Sequence, residues 1–159
     1  MLTLLALMLG LAAGDQQAAS GTFISADEIA ATLKQSIANN VVDQPIKLAE
    51  IPGGHKASVA LLRRTKAETS ALIHDYVTEI YQIVEGSGTL VTGGSLEDAK
   101  ENDLTRLNAG MSHTGVHRGG ESRKVKAKDV IIVPAGMAHR FSELDGPITY
   151  LVYRFEPKR

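Results

Sequence analysis

Beyond Pro45 the chain is written as short alternating runs that turn residues interrupt every few positions, and that texture leaves few folds open. Residues 58–64, 70–74, 79–85, 88–92, 123–127, 130–133, 138–143 and 149–155 read as strands. Gly86-Ser87-Gly88, Gly93-Gly94, Gly119-Gly120 and Asp145-Gly146-Pro147 separate several of them. A parallel sheet would need helical crossovers between successive strands, and the pattern contains none. Many short strands without intervening helices can bury their apolar faces only against one another. The expected fold is all-β, a sandwich or a barrel.

One stretch breaks the rhythm. Residues 93–121 are polar, carry Glu97, Asp98, Lys100, Glu101, Asp103 and Arg106, and end in Met111-Ser-His113-Thr-Gly-Val-His117. So long a connection is either a solvated surface excursion or a flap over the barrel mouth with His113 or His117 facing a ligand.

Ahead of the strands, Ser25-Ala-Asp-Glu28 is a capping box: the Ser25 hydroxyl can take the Glu28 amide while the Glu28 carboxylate reaches back. Ile29, Leu33 and Ile37 follow at four-residue spacing, predicting a short helix that ends near Asn39-Asn40. The organisation read from these signals is a helical arm over residues 20–45 and a barrel over 46–159. Residues 2–13 read LTLLALMLGLAA, with no charge before Asp15. A spanning helix needs about 20 apolar residues, so no stable membrane span is expected from this run. It matches the apolar centre of a secretory signal peptide without the usual basic start. Removal of residues 1–19 on export, to a periplasm or outside the cell, is the expectation; a buried N-terminal helix in a cytoplasmic protein is the alternative.

Composition narrows the chemistry. The 159 residues include 17 Lys and Arg against 18 Asp and Glu, no cysteine and no tryptophan. That balance supplies no basic field for a phosphate backbone, so no nucleic-acid partner is expected. Thiolate metal sites, disulfides and cysteine nucleophiles are excluded. The remaining metal-capable groups are five histidines and the carboxylates.

Three of those groups stand out. Glu79 opens the alternating run Glu79-Ile-Tyr-Gln-Ile-Val-Glu85, five residues after His74 at the end of another run. Period-two alternation puts Glu79, Tyr81 and Ile83 on one face. Downstream, Val130-Ile-Ile-Val-Pro134-Ala-Gly136-Met-Ala-His139-Arg-Phe141 reads as strand, tight turn and strand, with His139 and Phe141 sharing a face. Two imidazoles and a carboxylate at strand ends can converge on a divalent ion.

The spacing His74-x4-Glu79-x6-Gly86, followed by Pro134-x-Gly136-x-x-His139, resembles the two motifs of the cupins over about residues 46–157. The turn Gly86-Ser-Gly88-Thr-Leu-Val-Thr-Gly93-Gly94 and the segment Gly119-Gly-Glu-Ser-Arg123 are similar to small, often exported, single-domain cupins. The resemblance implies a double-stranded β-helix, or jelly-roll barrel, holding one divalent transition metal inside: Zn, Fe, Mn, Ni or Cu. It also implies a homodimer. The departures are specific. Leu72 stands where the family's first motif has a further histidine, leaving a shell of His74, Glu79 and His139. Lys66 and Lys128 stand where the family prefers glycine.

Two functions follow from this reading. One is a small metalloenzyme of oxygenase, isomerase or lyase type acting on a small organic molecule; the other is a small-ligand-binding barrel with a degenerate metal site. In either case Leu72, Tyr81, Phe141, Tyr153, Arg63 and His117 are expected to line the pocket. Tyr81 or His117 would stand ready for proton transfer in the enzyme. Arg63 shares its parity with Val59 and Leu61, the more apolar face of its run, which points it inward toward Glu79 or an anionic ligand; a place on the outer surface is the alternative.

Overall fold

The structure, a computed structural model, describes residues 21–159; the expected signal segment over residues 1–19 lies outside them. Helix α1 (Ala26–Asn39) starts and stops as its caps dictate. Ser25 Oγ accepts the Glu28 N–H at 3.1 Å, and Asn40 closes the helix in the left-handed conformation. The Glu28 carboxylate turns away from the cap to Lys47 Nζ, 3.5 Å off, so the reciprocal half of the capping box is replaced by a tie to the first strand.

Eleven strands follow: β1 (Asp43–Ile51), β2 (His55–Arg64), β3 (Ala71–His74), β4 (Thr78–Glu85), β5 (Ser87–Thr92), β6 (Ser95–Asp103), β7 (Met111–Arg118), β8 (Glu121–Lys126), β9 (Val130–Val133), β10 (His139–Leu144) and β11 (Ile148–Glu156). They form two antiparallel sheets, one in the order β1-β2-β11-β4-β9 and one in the order β6-β7-β3-β10-β5-β8. The all-β expectation holds, and the architecture is a jelly roll. Strand β1 begins at Asp43, ahead of the boundary at 46. It accommodates Pro45 because β1 is an edge strand with a register shift between Pro45 and Lys47.

Residues 93–121 are neither a loose excursion nor a flap. They form the β6–β7 hairpin, interrupted by a short 3-10 turn at Thr105–Leu107, and they extend the second sheet beyond β3. β6 is the outer edge and exposes most of its residues, so it carries charges where a strand inside the sheet would alternate. That is why its sequence hides it.

Side-chain parity decides what faces the interior. The core cluster takes Ala60 and Leu62 from β2, Tyr81 and Ile83 from β4, Phe141 from β10, and Tyr150 and Val152 from β11. Inward residues of β2 therefore carry even numbers, and Arg63 lies on the outer face. Val59 and Leu61 are apolar for a different reason: α1 packs over β1 and β2, and Leu61 is buried beneath it. The inward arginine is Arg64, whose Nε donates to Tyr150 Oη at 2.8 Å. Tyr153 is corrected likewise. It alternates outward on β11, is exposed, and donates its hydroxyl to Gln82 Oε1 at 2.8 Å.

Gly86 has a sharp requirement. It lies at φ +84°, and a Cβ there would overlap the Pro147 carbonyl, so the β4–β5 turn can close against the start of β11 only through glycine.

Candidate metal centre

His74 ends β3, Glu79 is the second residue of β4, and His139 opens β10. The two motifs are stitched by backbone. Gly136 N–H donates to the His74 carbonyl at 2.8 Å, Val133 pairs with Glu79, and His139 pairs with Leu72. One ligand atom from each of the three residues lies within 4.8 Å of the others. Glu79 Oε2 stands 3.4 Å from His74 Nε2 and 3.6 Å from His139 Nε2. Donors bound at typical metal–ligand lengths lie roughly 3.0–3.5 Å apart in tetrahedral or octahedral shells, and the two carboxylate–imidazole spacings come close to that range.

Which nitrogens are free follows from hydrogen bonding. His74 Nδ1–H donates to the Ala109 carbonyl at 3.0 Å, with Ser112 Oγ at 2.9 Å beside it; His139 Nδ1–H donates to the Met137 carbonyl at 3.0 Å. A carbonyl only accepts, so each neutral ring carries its proton on Nδ1 and turns a lone pair on Nε2 toward Glu79. Burial holds the His139 imidazole below its ordinary pKa despite the nearby Glu79 charge, favouring the neutral, ligating form. Two nitrogen lone pairs and a carboxylate oxygen thus face one another, a donor set that fits a divalent cation.

Glu79 is ionised. Burial alone would push its carboxyl up, but in the metal-free barrel His74 and His139 in their protonated forms, together with Arg154, hold it well below the usual carboxylate range. Its two oxygens have different partners. Oε1 accepts Arg154 Nε at 2.8 Å, and Oε2 accepts the Tyr81 hydroxyl at 2.7 Å. Burial, followed by the Glu79 charge, raises the Tyr81 phenol far above its ordinary value, so Tyr81 keeps its proton.

The residues expected around a pocket divide into two groups. Leu72 lies opposite His139 and beside His74 in alternation; Tyr81 and Phe141 are buried in the core next to the centre. Arg63, Tyr153 and His117 are not there. His117 sits on the opposite alternation of β7 from Ser112, with Nε2 against the Gly93 carbonyl at 2.7 Å. His113, the other histidine of that segment, pairs with Asp75 at 2.9 Å. The interior is also fuller than the expected ligand cavity: Tyr81, Phe141 and Tyr150 pack ring against ring, and the three donors are only 2–5% exposed. A cleft of about 270 Å³ opens between β8 and β9, lined by Leu90, Thr92, Arg123 and Ile131 among others. Thr92 is the cross-strand partner of His139, and Ile131 that of Tyr81.

Sequence reading did not find Asp43, Ser112 or the Ala109 carbonyl. Asp43 and Ser112 lie in strands it left unassigned, and a backbone carbonyl leaves no signature in residue type. Arg154 was findable: it falls on the Tyr150–Val152 parity of β11 and pairs directly with Glu79 across the strands.

No family model matches the chain, and no curated protein does. Solved structures are similar to it. BH2720 from Bacillus halodurans aligns at TM-score 0.53 and 16% identity, over 86% of this chain and 83% of that one. A cupin protein from Bacteroides fragilis aligns at TM-score 0.43 and 17% identity, over 63% and 65%. Hydroquinone 1,2-dioxygenase from Sphingomonas sp. TTNP3, with 4-hydroxybenzoate bound, aligns at TM-score 0.44 and 13% identity, over 64% and 60%. Sheet order and strand count define an antiparallel jelly-roll barrel with a buried His-Glu-His cluster able to hold a metal. The two motifs lie on β3–β4 and β9–β10 of this jelly roll.

Proposed function

We propose that the barrel binds one divalent transition metal through His74 Nε2, Glu79 Oε2 and His139 Nε2, and serves as a small metalloenzyme of oxygenase, isomerase or lyase type. The observation that carries this reading is the convergence of two Nε2 lone pairs on one carboxylate oxygen, each ring's Nδ1–H already committed to a carbonyl. Three protein donors leave positions for water or substrate, and Leu72 adds no fourth. A bound ion supplies Lewis acidity and orientation for a substrate oxygen, or dioxygen activation if it is iron. Tyr81 keeps its proton and hydrogen-bonds Glu79 Oε2, so it orients the carboxylate; His117 stands on another face and takes no part. The cleft lined by Thr92 and Ile131 is the approach for a small, partly apolar molecule.

The closed packing around the donors favours a second reading, a barrel that binds a small ligand without turnover. Loading metal-free protein separately with Zn, Fe, Mn, Ni and Cu, then screening small phenols, organic acids and sugar derivatives by mass spectrometry, separates the two. Product formed with one metal and absent in His139→Gln supports the enzyme. Calorimetric binding without product supports the second reading.

A homodimer is also proposed. The outer face of the β1-β2-β11-β4-β9 sheet exposes the apolar side chains Val84, Val130, Ile132 and Phe155, a face that a second copy could cover. Sedimentation should give twice the chain mass, shifting toward the monomer in Ile132→Lys. A monomeric parent would refute it.

A further inference from the structure

Arg154 is buried, at 4% exposure, inside a barrel whose neighbouring interior is aromatic and aliphatic. Every arm of its guanidinium is engaged. Nε donates to Glu79 Oε1 at 2.8 Å, one terminal nitrogen donates to the Leu107 carbonyl at 2.6 Å, and the other meets Asp43 Oδ2 at 2.5 Å. These partners come from separate parts of the chain: Asp43 opens β1 just after the helical arm, Leu107 lies in the 3-10 turn of the β6–β7 hairpin, and Glu79 belongs to β4. The same hairpin turn supplies Ala109, whose carbonyl sets the His74 ring.

From this geometry, and resting on the metal-binding reading above, we propose that Arg154, braced by Asp43 and the Leu107 carbonyl, is a positioning residue that confines Glu79 to donation through Oε2 alone. With Oε1 held by the guanidinium, the carboxylate cannot swing to chelate an ion through both oxygens. The Tyr81 hydroxyl on Oε2 fixes the remaining rotation. A bare arginine beside a cation site would repel the ion. Asp43 supplies the counter-charge, so the pair orients Glu79 with little net field at the site. A planar fork serves here because a lysine ammonium cannot span Glu79, Asp43 and a carbonyl in fixed directions.

Arg154→Lys keeps the charge and removes the fork, so it isolates orientation from electrostatics. Co(II) added to the metal-free full chain is the probe, read by its visible ligand-field spectrum, by affinity and by the thermal melt. The expected result is a displaced band with changed intensity as Glu79 becomes free to bind through both oxygens, together with a loss of affinity of about 10–100-fold, the range for partners that orient a ligand. Asp43→Asn, which leaves the Glu79–Arg154 bond but unbraces it, should displace the same band and carries the test if Arg154→Lys does not fold. A folded Arg154→Lys, or in its place Asp43→Asn, with the parent's spectrum and affinity overturns the positioning role while leaving the metal site standing. A parent chain that takes up no Co(II) overturns both.

Discussion

Glu79→Ala in the metal-free protein is expected to cost about 3–5 kcal/mol, the range for removing one partner of a buried ion pair. The reason is local. Truncation leaves Arg154 with its charge inside the barrel and removes the acceptor of its Nε and of the Tyr81 hydroxyl in one step. For a chain of this length that corresponds to a fall in melting temperature on the order of 10 °C. The loss should also carry a pH signature. Glu79 has an ordinary value of 4.5 and a lower one in the folded metal-free barrel, where burial opposes ionisation but protonated His74 and His139, with Arg154, outweigh it. A depressed carboxyl contributes stability that is complete above its unfolded value and is lost as pH falls through the folded one. The gap between parent and Glu79→Ala should therefore be widest above about pH 5 and close steadily below pH 4.5. Thermal melts across that window check it, and equal melts at neutral pH would refute the buried pairing.

His139→Gln should act on metal rather than fold. Glutamine keeps much of the side-chain volume but loses the Nδ1–H bond to the Met137 carbonyl, so stability should fall by only about 1 kcal/mol, the net worth of one hydrogen bond. The imidazole Nε2 lone pair, however, is gone. With only His74 and Glu79 left, metal affinity should fall by more than the roughly 100-fold that marks the loss of an orienting partner. Competition titration against a coloured chelator reads the change directly. Retained affinity would mean that the ion, if bound, lies elsewhere. Loss of the fold with metal binding intact would make His139 a packing residue.

Much of this fold was legible because its strands alternate on an interior that is almost wholly apolar. The motif residues His74, Glu79, Gly86 and His139 lie at strand ends and turns, where residue type is dictated by geometry. The Gly86 turn and the Ser25 cap illustrate the point, since each position admits few side chains. Lys128, noted for standing where glycine is preferred, does take a glycine-like backbone at φ +80°. The failures have physical causes too. The β6–β7 hairpin hid behind an edge strand that is charged because it faces water. Arg63 was given the wrong face because a strand covered by a helix on one side and a barrel on the other is apolar on both, and alternation then carries no direction. Tyr153 was misplaced because an aromatic residue on an exposed sheet face has the same letter as one in the core. The Asp43–Arg154–Glu79 network joins residues 43, 79 and 154, and no local pattern connects them.

Elemental analysis of purified, tag-free protein shows whether His74, Glu79 and His139 hold an ion. Close to one equivalent of a transition metal per chain is expected, retained on dialysis and absent from Glu79→Gln. Protein that contains no metal, and takes up none when incubated in turn with Zn, Fe, Mn, Ni and Cu salts, would contradict it and leave His74, Glu79 and His139 as a buried hydrogen-bonded cluster.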